Sequence, residues 1–179
     1  MFRRTTYMCL LTVGLLIGAA GCGGGGDQTG DTAAGPAVAF QDLDGTATSL
    51  ADYRGKVVMV DIWATWCAPC RIEIPHLMEL YRKHRDKDFA LVGISIDEAG
   101  TEVVQEFARE LDINYPLWWA PASAVTRQFG PVRGLPTTFL LDREGTVQKT
   151  YVGYRPGLEL QMEKDILALL DSDALAAKR

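Results

Sequence analysis

The chain has 179 residues, 47% of them hydrophobic and 23% charged, with a formal net charge of −5. That length suits one domain with accessory segments, and the hydrophobic share is enough for a core of its own. The acidic balance excludes the basic stripe on which nucleic-acid binding depends, so no nucleic-acid partner is expected.

The first residues read as an export signal. Arg3 and Arg4 form a positive start, and Tyr7 to Ala20 is an almost uninterrupted apolar run. The run is shorter than the ~20 residues a membrane-spanning helix needs, and it closes in small residues as secretory signals do. Its end, Ala19-Ala20-Gly21-Cys22, resembles the lipobox of bacterial lipoproteins, with Ala19 where that family usually has Leu. The resemblance implies cleavage before Cys22 and lipid attachment on it. The other reading is an ordinary cleaved signal. The expected organisation is a lipoprotein signal peptide over residues 1–21, a flexible Gly-rich tether over 22–36, and a folded domain over 37–179. The domain is then expected in the periplasm or at the cell exterior, held to a membrane by the lipid anchor.

From Ala37 onward the pattern is that of a folded domain. Val57 to Trp63 is a continuous apolar run broken by Asp61, the signature of a strand buried on both faces. A helix follows, with Ile74, Leu77, Met78 and Tyr81 at helical spacing. Phe89 to Ile96 predicts a second buried strand, and Val104, Phe107, Ala108 and Leu111 predict a second helix. A short helix is expected around Ala122–Phe129. Thr137 to Leu141 and Thr146 to Val152 flank Asp142-Arg143-Glu144-Gly145 and predict a hairpin. Leu158, Met162, Ile166, Leu169 and Leu170 mark a terminal amphipathic helix. The order predicts an α/β fold, a central mixed sheet with helices on both faces.

Of the four cysteines, Cys9 would leave with the signal and Cys22 would carry the lipid, which leaves Cys67 and Cys70. A pair with two residues between cannot staple a fold across any distance, so it serves chemistry or a metal. Haem attachment needs a His after the second Cys, and Arg71 stands there. A zinc site needs two more ligands, and only His76 and His84 exist, at unhelpful spacing. A purely structural disulfide would close too small a loop to constrain the unfolded chain much. The pair sits where a buried strand passes into a helix, and the unpaired N–H groups and partial positive charge of a helix start stabilise a thiolate. Pro69 suits the first turn, where its missing N–H costs nothing. Redox chemistry is therefore expected, with no metal.

Asp61 interrupts the buried strand six residues before Cys67. Burial raises a carboxyl pKa towards neutrality, which suits a group that takes the proton of Cys70. Glu73 lies six residues after Cys67, and read alone it is either a solvated first-turn acid or a member of the site.

Val60-Asp61-Ile62-Trp63-Ala64-Thr65-Trp66-Cys67-Ala68-Pro69-Cys70 resembles the active-site stretch of thioredoxins. Arg71-Ile72-Glu73-Ile74-Pro75-His76-Leu77 and Gly134-Leu135-Pro136-Thr137-Thr138-Phe139-Leu140 resemble more particularly the TlpA/ResA branch of exported, membrane-anchored thiol–disulfide oxidoreductases. So does an insertion from about Asp97 to Phe129, and the similarity spans roughly Ala37 to Leu170. The resemblance implies a thioredoxin fold with the TlpA/ResA-type insertion and no cofactor. It also implies a cis bond before Pro136, and client binding through Trp66, Leu135 and Pro136. Glu73 matches an acid this branch uses near its thiols. Thioredoxins carry Asp at position 61, whereas many members of the branch have Asn. Glu98 also aligns with a branch acid, but a loop carboxylate is more often merely solvated. Pro75 is expected only to kink its helix. Trp118-Trp119 reads as core or as a partner-facing patch.

The implied activity is exchange between a Cys67–Cys70 dithiol or disulfide and exported protein substrates, in the reducing direction. Apocytochrome c thiols are typical clients of the branch, and a membrane thiol-electron carrier is the implied source of electrons. Two other classes are weighed against it. Peroxide reduction on the same fold wants Thr three residues before the reactive cysteine and Pro seven before it, where Ala64 and Val60 stand. A tethered module that binds clients without chemistry would not need the two thiols.

Overall fold

The strands Val57–Trp63 (β3) and Phe89–Ser95 (β4) are buried along their whole length, as their unbroken apolar runs predict. They pair in parallel at the centre of a seven-stranded sheet, ordered β2 (Ala47–Thr48), β1 (Phe40–Asp42), β5 (Leu117–Trp119), β4, β3, β6 (Thr137–Leu141) and β7 (Val147–Val152). The structure, a computed structural model, describes residues 40–176. The expected signal peptide, Cys22 and the tether lie outside those residues.

Thr137–Leu141 (β6) runs antiparallel to β3, and Val147–Val152 (β7) returns beside it as the predicted hairpin. β7 is an edge strand and is largely exposed. Three short strands escape the sequence pattern: Phe40–Asp42 (β1), Ala47–Thr48 (β2) and Leu117–Trp119 (β5). β5 is three residues long and lies between Pro116 and Pro121, too short to display an alternation. It adds in parallel beside β4, so the expected insertion contributes a strand to the sheet.

Among the described residues four α-helices cover the sheet: Ala68–His84 (α1), Thr101–Glu110 (α2), Ala122–Phe129 (α3) and Leu158–Ala176 (α4). One core lies between the sheet and α1, α2 and α4, built from Val57, Met59, Trp63, Ile74, Phe107 and Met162 among others. The second lies under α3, with Val58, Val60 and Ile62 pointing the other way. Period-two alternation along β3 thus feeds both cores, and it places Asp61 in the first.

The buried stripe of α1 is rotated from the one predicted. Ile74 and Leu77 are buried as expected, but Met78 and Tyr81 are only half-buried, and the stripe runs through Cys70, Glu73, Leu80 and His84. Helix and sheet meet along a line that helical spacing alone cannot locate. Pro75 lies inside α1 on its exposed side.

Candidate active site

β3 ends at Trp63, and Ala64-Thr65-Trp66 turns the chain into α1. Cys67 is the residue that caps this helix: its Sγ accepts from the Cys70 N–H at 3.3 Å, and Pro69 occupies the first turn. No acid stands in that turn to oppose the partial positive charge of the helix start. Cys67 and Cys70 form a disulfide with Sγ atoms 2.05 Å apart. Cys67 is 5% exposed and Cys70 is wholly buried, so an incoming sulfur reaches the first cysteine and not the second.

The turn before the cysteines is clamped by a residue that sequence reasoning missed. Asp97, buried just past β4, accepts from the Thr65 N–H at 2.9 Å and the Thr65 hydroxyl at 2.7 Å. Ser95 Oγ donates to the same carboxylate at 2.6 Å, and the Trp119 indole donates to the Asp97 carbonyl at 2.7 Å. The only signal in the sequence was an acid directly after a buried strand. Glu98, next to it, is exposed at the edge of a cleft.

Two acids lie on the side of the sheet that α1 covers, Glu73 one helical turn beyond Cys70 and Asp61 on β3. Asp61 and Glu73 are both buried, so Glu73 is not a solvated first-turn acid. Thr138, paired with Asp61 across β3 and β6, brings them together. Its hydroxyl lies 3.3 Å from Asp61 Oδ1 and 3.5 Å from Glu73 Oε1 and can donate to either. Asp61 Oδ2 and Glu73 Oε2 are buried with no hydrogen-bond partner. Burial pushes the Asp61 pKa up to about 7, against the opposing hydrogen bond from Thr138. Burial, and then the Asp61 charge, push Glu73 up to about 9, again opposed by Thr138. At neutral pH the pair therefore holds a proton and is poised to exchange one.

The Leu135–Pro136 bond is cis, as the resemblance implied. Pro136 is buried and Leu135 half-buried, while the Thr137 hydroxyl donates to the Gly134 carbonyl at 2.6 Å and steadies this turn. Trp66 is 69% exposed and divides two clefts. One, about 250 Å³, includes Ile62, Val125, Val132 and Leu135 in its wall. The other, about 740 Å³, includes Trp119, Pro121, Ala99 and Glu98. The two adjacent tryptophans therefore differ: Trp118 is core, stacked on Phe40 with centroids 5.6 Å apart, while Trp119 lines the larger cleft.

Among the described residues no group of three or more His, Cys, Asp or Glu side chains is placed to hold a metal ion. No described helix is long and apolar enough to cross a membrane.

Residues 30–150 match the AhpC/TSA family. The chain is 31% identical over 126 residues to the thiol-disulfide oxidoreductase ResA of Bacillus thuringiensis, covering 70% of this chain and 72% of that one. It is 36% identical over 118 residues to ResA of Geobacillus thermodenitrificans, covering 66% and 67%. Among solved structures, a putative thiol:disulfide interchange protein DsbE from Chlorobium tepidum superposes with a TM-score of 0.69 at 35% identity. That match covers 75% of this chain and 94% of the other. The chain belongs to the AhpC/TSA family and, within it, to the ResA-like thiol–disulfide oxidoreductases of thioredoxin fold.

Proposed function

We propose, from that membership, that Cys67 is the attacking and Cys70 the resolving thiol of a reductase for exported protein disulfides. The observation that carries this reading is the asymmetry of the pair: Cys67 caps a helix and retains access to solvent, whereas Cys70 is wholly buried one helical turn before the buried Glu73. The Cys67 thiolate attacks one sulfur of a client disulfide, forming a mixed disulfide and releasing one client thiolate. Cys70 then gives its proton to the Asp61–Glu73 pair, and its thiolate attacks Cys67 Sγ. The Cys67–Cys70 bond forms, the second client thiolate leaves, and two electrons have passed to the client. The two acids titrate together, so the pair as a unit takes that proton. Trp66, Leu135 and Pro136 form the docking edge, and the apolar clefts on either side of Trp66 support that role.

The reaction takes place outside the cytosol, on a domain spanning 37–179. The signal over 1–21 is removed, Cys22 carries the lipid, and residues 22–36 tether the domain to the membrane. A membrane thiol-electron carrier restores the dithiol, and cytochrome c precursors are among the clients. Replacing Cys70 with Ser tests the exchange itself, because the resolving step is then blocked. Mixed disulfides between Cys67 and exported proteins should accumulate; recovery of none from an exported-protein pool would count decisively against the proposal.

A further inference from the structure

A row of positions crosses three strands on the side of the sheet that α1 covers. Thr138 on β6, Asp61 on β3 and Gly93 on β4 are in register, so all three face the same side of the sheet. Glu73 reaches the row from α1 through the Thr138 hydroxyl. Trp63, two residues beyond Asp61, points to the same side. Tyr115 closes the remaining edge. A methyl group at position 93 would stand 3.1 Å from Tyr115 Cε2, 3.0 Å from Trp63 Nε1 and 2.8 Å from Leu117 Cδ2. Only glycine leaves room for the phenol and the indole N–H to close in one strand away from Asp61.

The buried polar atoms in this region are chemically matched. The Tyr115 hydroxyl and Trp63 Nε1 are donors, Asp61 Oδ2 and Glu73 Oε2 are acceptors, and none of the four has a hydrogen-bond partner in the disulfide form. Packing does not account for the hydroxyl. The Tyr115 ring meets Tyr81 edge-on at 6.3 Å, and Phe would make the same contact without burying an orphaned O–H. Burial, followed by the charges of Asp61 and Glu73, raises the Tyr115 pKa well above its usual value, so the group stays a donor. The other titratable groups on elements packed near the pair are committed elsewhere or belong to the reaction. Tyr154 donates to Glu159 at 3.1 Å and stacks on His76 at 5.5 Å, and Cys70 is the thiol itself.

We propose that Tyr115 is a positioning residue for the exchange: its hydroxyl donates to the ionised Asp61–Glu73 pair and so sets the pH at which the pair accepts the Cys70 proton. The inference rests on the reading of that pair as the proton acceptor. A donor to the charged form favours it, so the hydroxyl lowers the pH at which the pair ionises. Tyr115 keeps its own proton throughout, and the proton that moves is the one leaving Cys70 Sγ.

Tyr115→Phe removes the hydroxyl and nothing else. Single-turnover reduction of a protein disulfide is followed by stopped-flow fluorescence across the neutral and alkaline range. The full-length proteins compared are wild type, Tyr115→Phe, Asp61→Asn and Glu73→Gln. Tyr115→Phe should move the midpoint of the acid limb up by about one pH unit, about tenfold in rate below the limb, with thermal stability retained or increased. A Tyr115→Phe profile that superimposes on wild type while an acid variant shifts overturns the role of Tyr115 and leaves the pair intact. No shift in either acid variant overturns the pair, and this inference with it. If Tyr115→Phe does not fold, infrared difference spectra of wild type decide: a tyrosine C–O band that moves on reduction supports the bond, and an unmoved band refutes it.

Discussion

Asp61→Asn measures what it costs to keep a carboxyl buried at this position. In the unfolded chain this group ionises near 3.8, and in the folded protein near 7. Below the first value both states hold the proton, and nothing is lost. Between the two values the unfolded chain is ionised while the folded protein keeps its proton. Stability therefore falls as pH rises, by about 1.36 kcal/mol per unit. Above the second value both are ionised and the penalty is complete. A window of about three units makes it about 4 kcal/mol against the fold at about pH 8. Asn cannot ionise, keeps an oxygen for the Thr138 hydroxyl, and offers an N–H to the unpartnered Glu73 Oε2. The oxidised variant should therefore be more stable than wild type by about 2–4 kcal/mol at about pH 8, roughly 10 °C in Tm. The gain should shrink to nothing towards about pH 4, where the wild-type acid is protonated in both states. Thermal unfolding followed by circular dichroism at several pH values is the assay. A gain that is the same at both ends would place the effect in packing and refute the reasoning, and a loss at the alkaline end would do so outright.

Two further substitutions probe the surroundings of the pair. Thr138→Val removes the hydroxyl that favours the charged form of both acids, so both should ionise at higher pH and the acid limb of exchange should move up; an unmoved limb would show that Thr138 does not bridge them. Asp97→Ala frees the Thr65 amide and hydroxyl and the Ser95 hydroxyl, and urea unfolding should report a loss of about 3 kcal/mol with slower exchange, partly restored by Asp97→Asn. A loss within error of zero would mean the turn holds its shape without the clamp.

Features that a local pattern encodes can be read directly from the chain. The two central strands are unbroken apolar runs, and the amphipathic helices follow from spacing. The Cys67–Cys70 pair at a strand-to-helix junction was legible because the junction and the motif are contiguous in the chain. The cis bond at Pro136 was legible only through resemblance, since most X–Pro bonds are trans.

Which side chains share an environment depends instead on how distant segments pack. Glu73 read alone left both a solvated acid and a site residue open, because helical spacing does not say which line of α1 meets the sheet. The packing of α1 turns Glu73 inward, beside an Asp61 that a different strand has carried there. Thr138 joins the two acids through cross-strand register, 77 residues from one and 65 from the other. Asp97 is 32 residues from the turn it clamps, and the Tyr115 ring approaches β4 beside Asp61 only because a glycine stands at position 93. Pairing between distant segments is set by how the whole core closes, and a one-residue slip in any strand would turn these groups to the opposite face of the sheet.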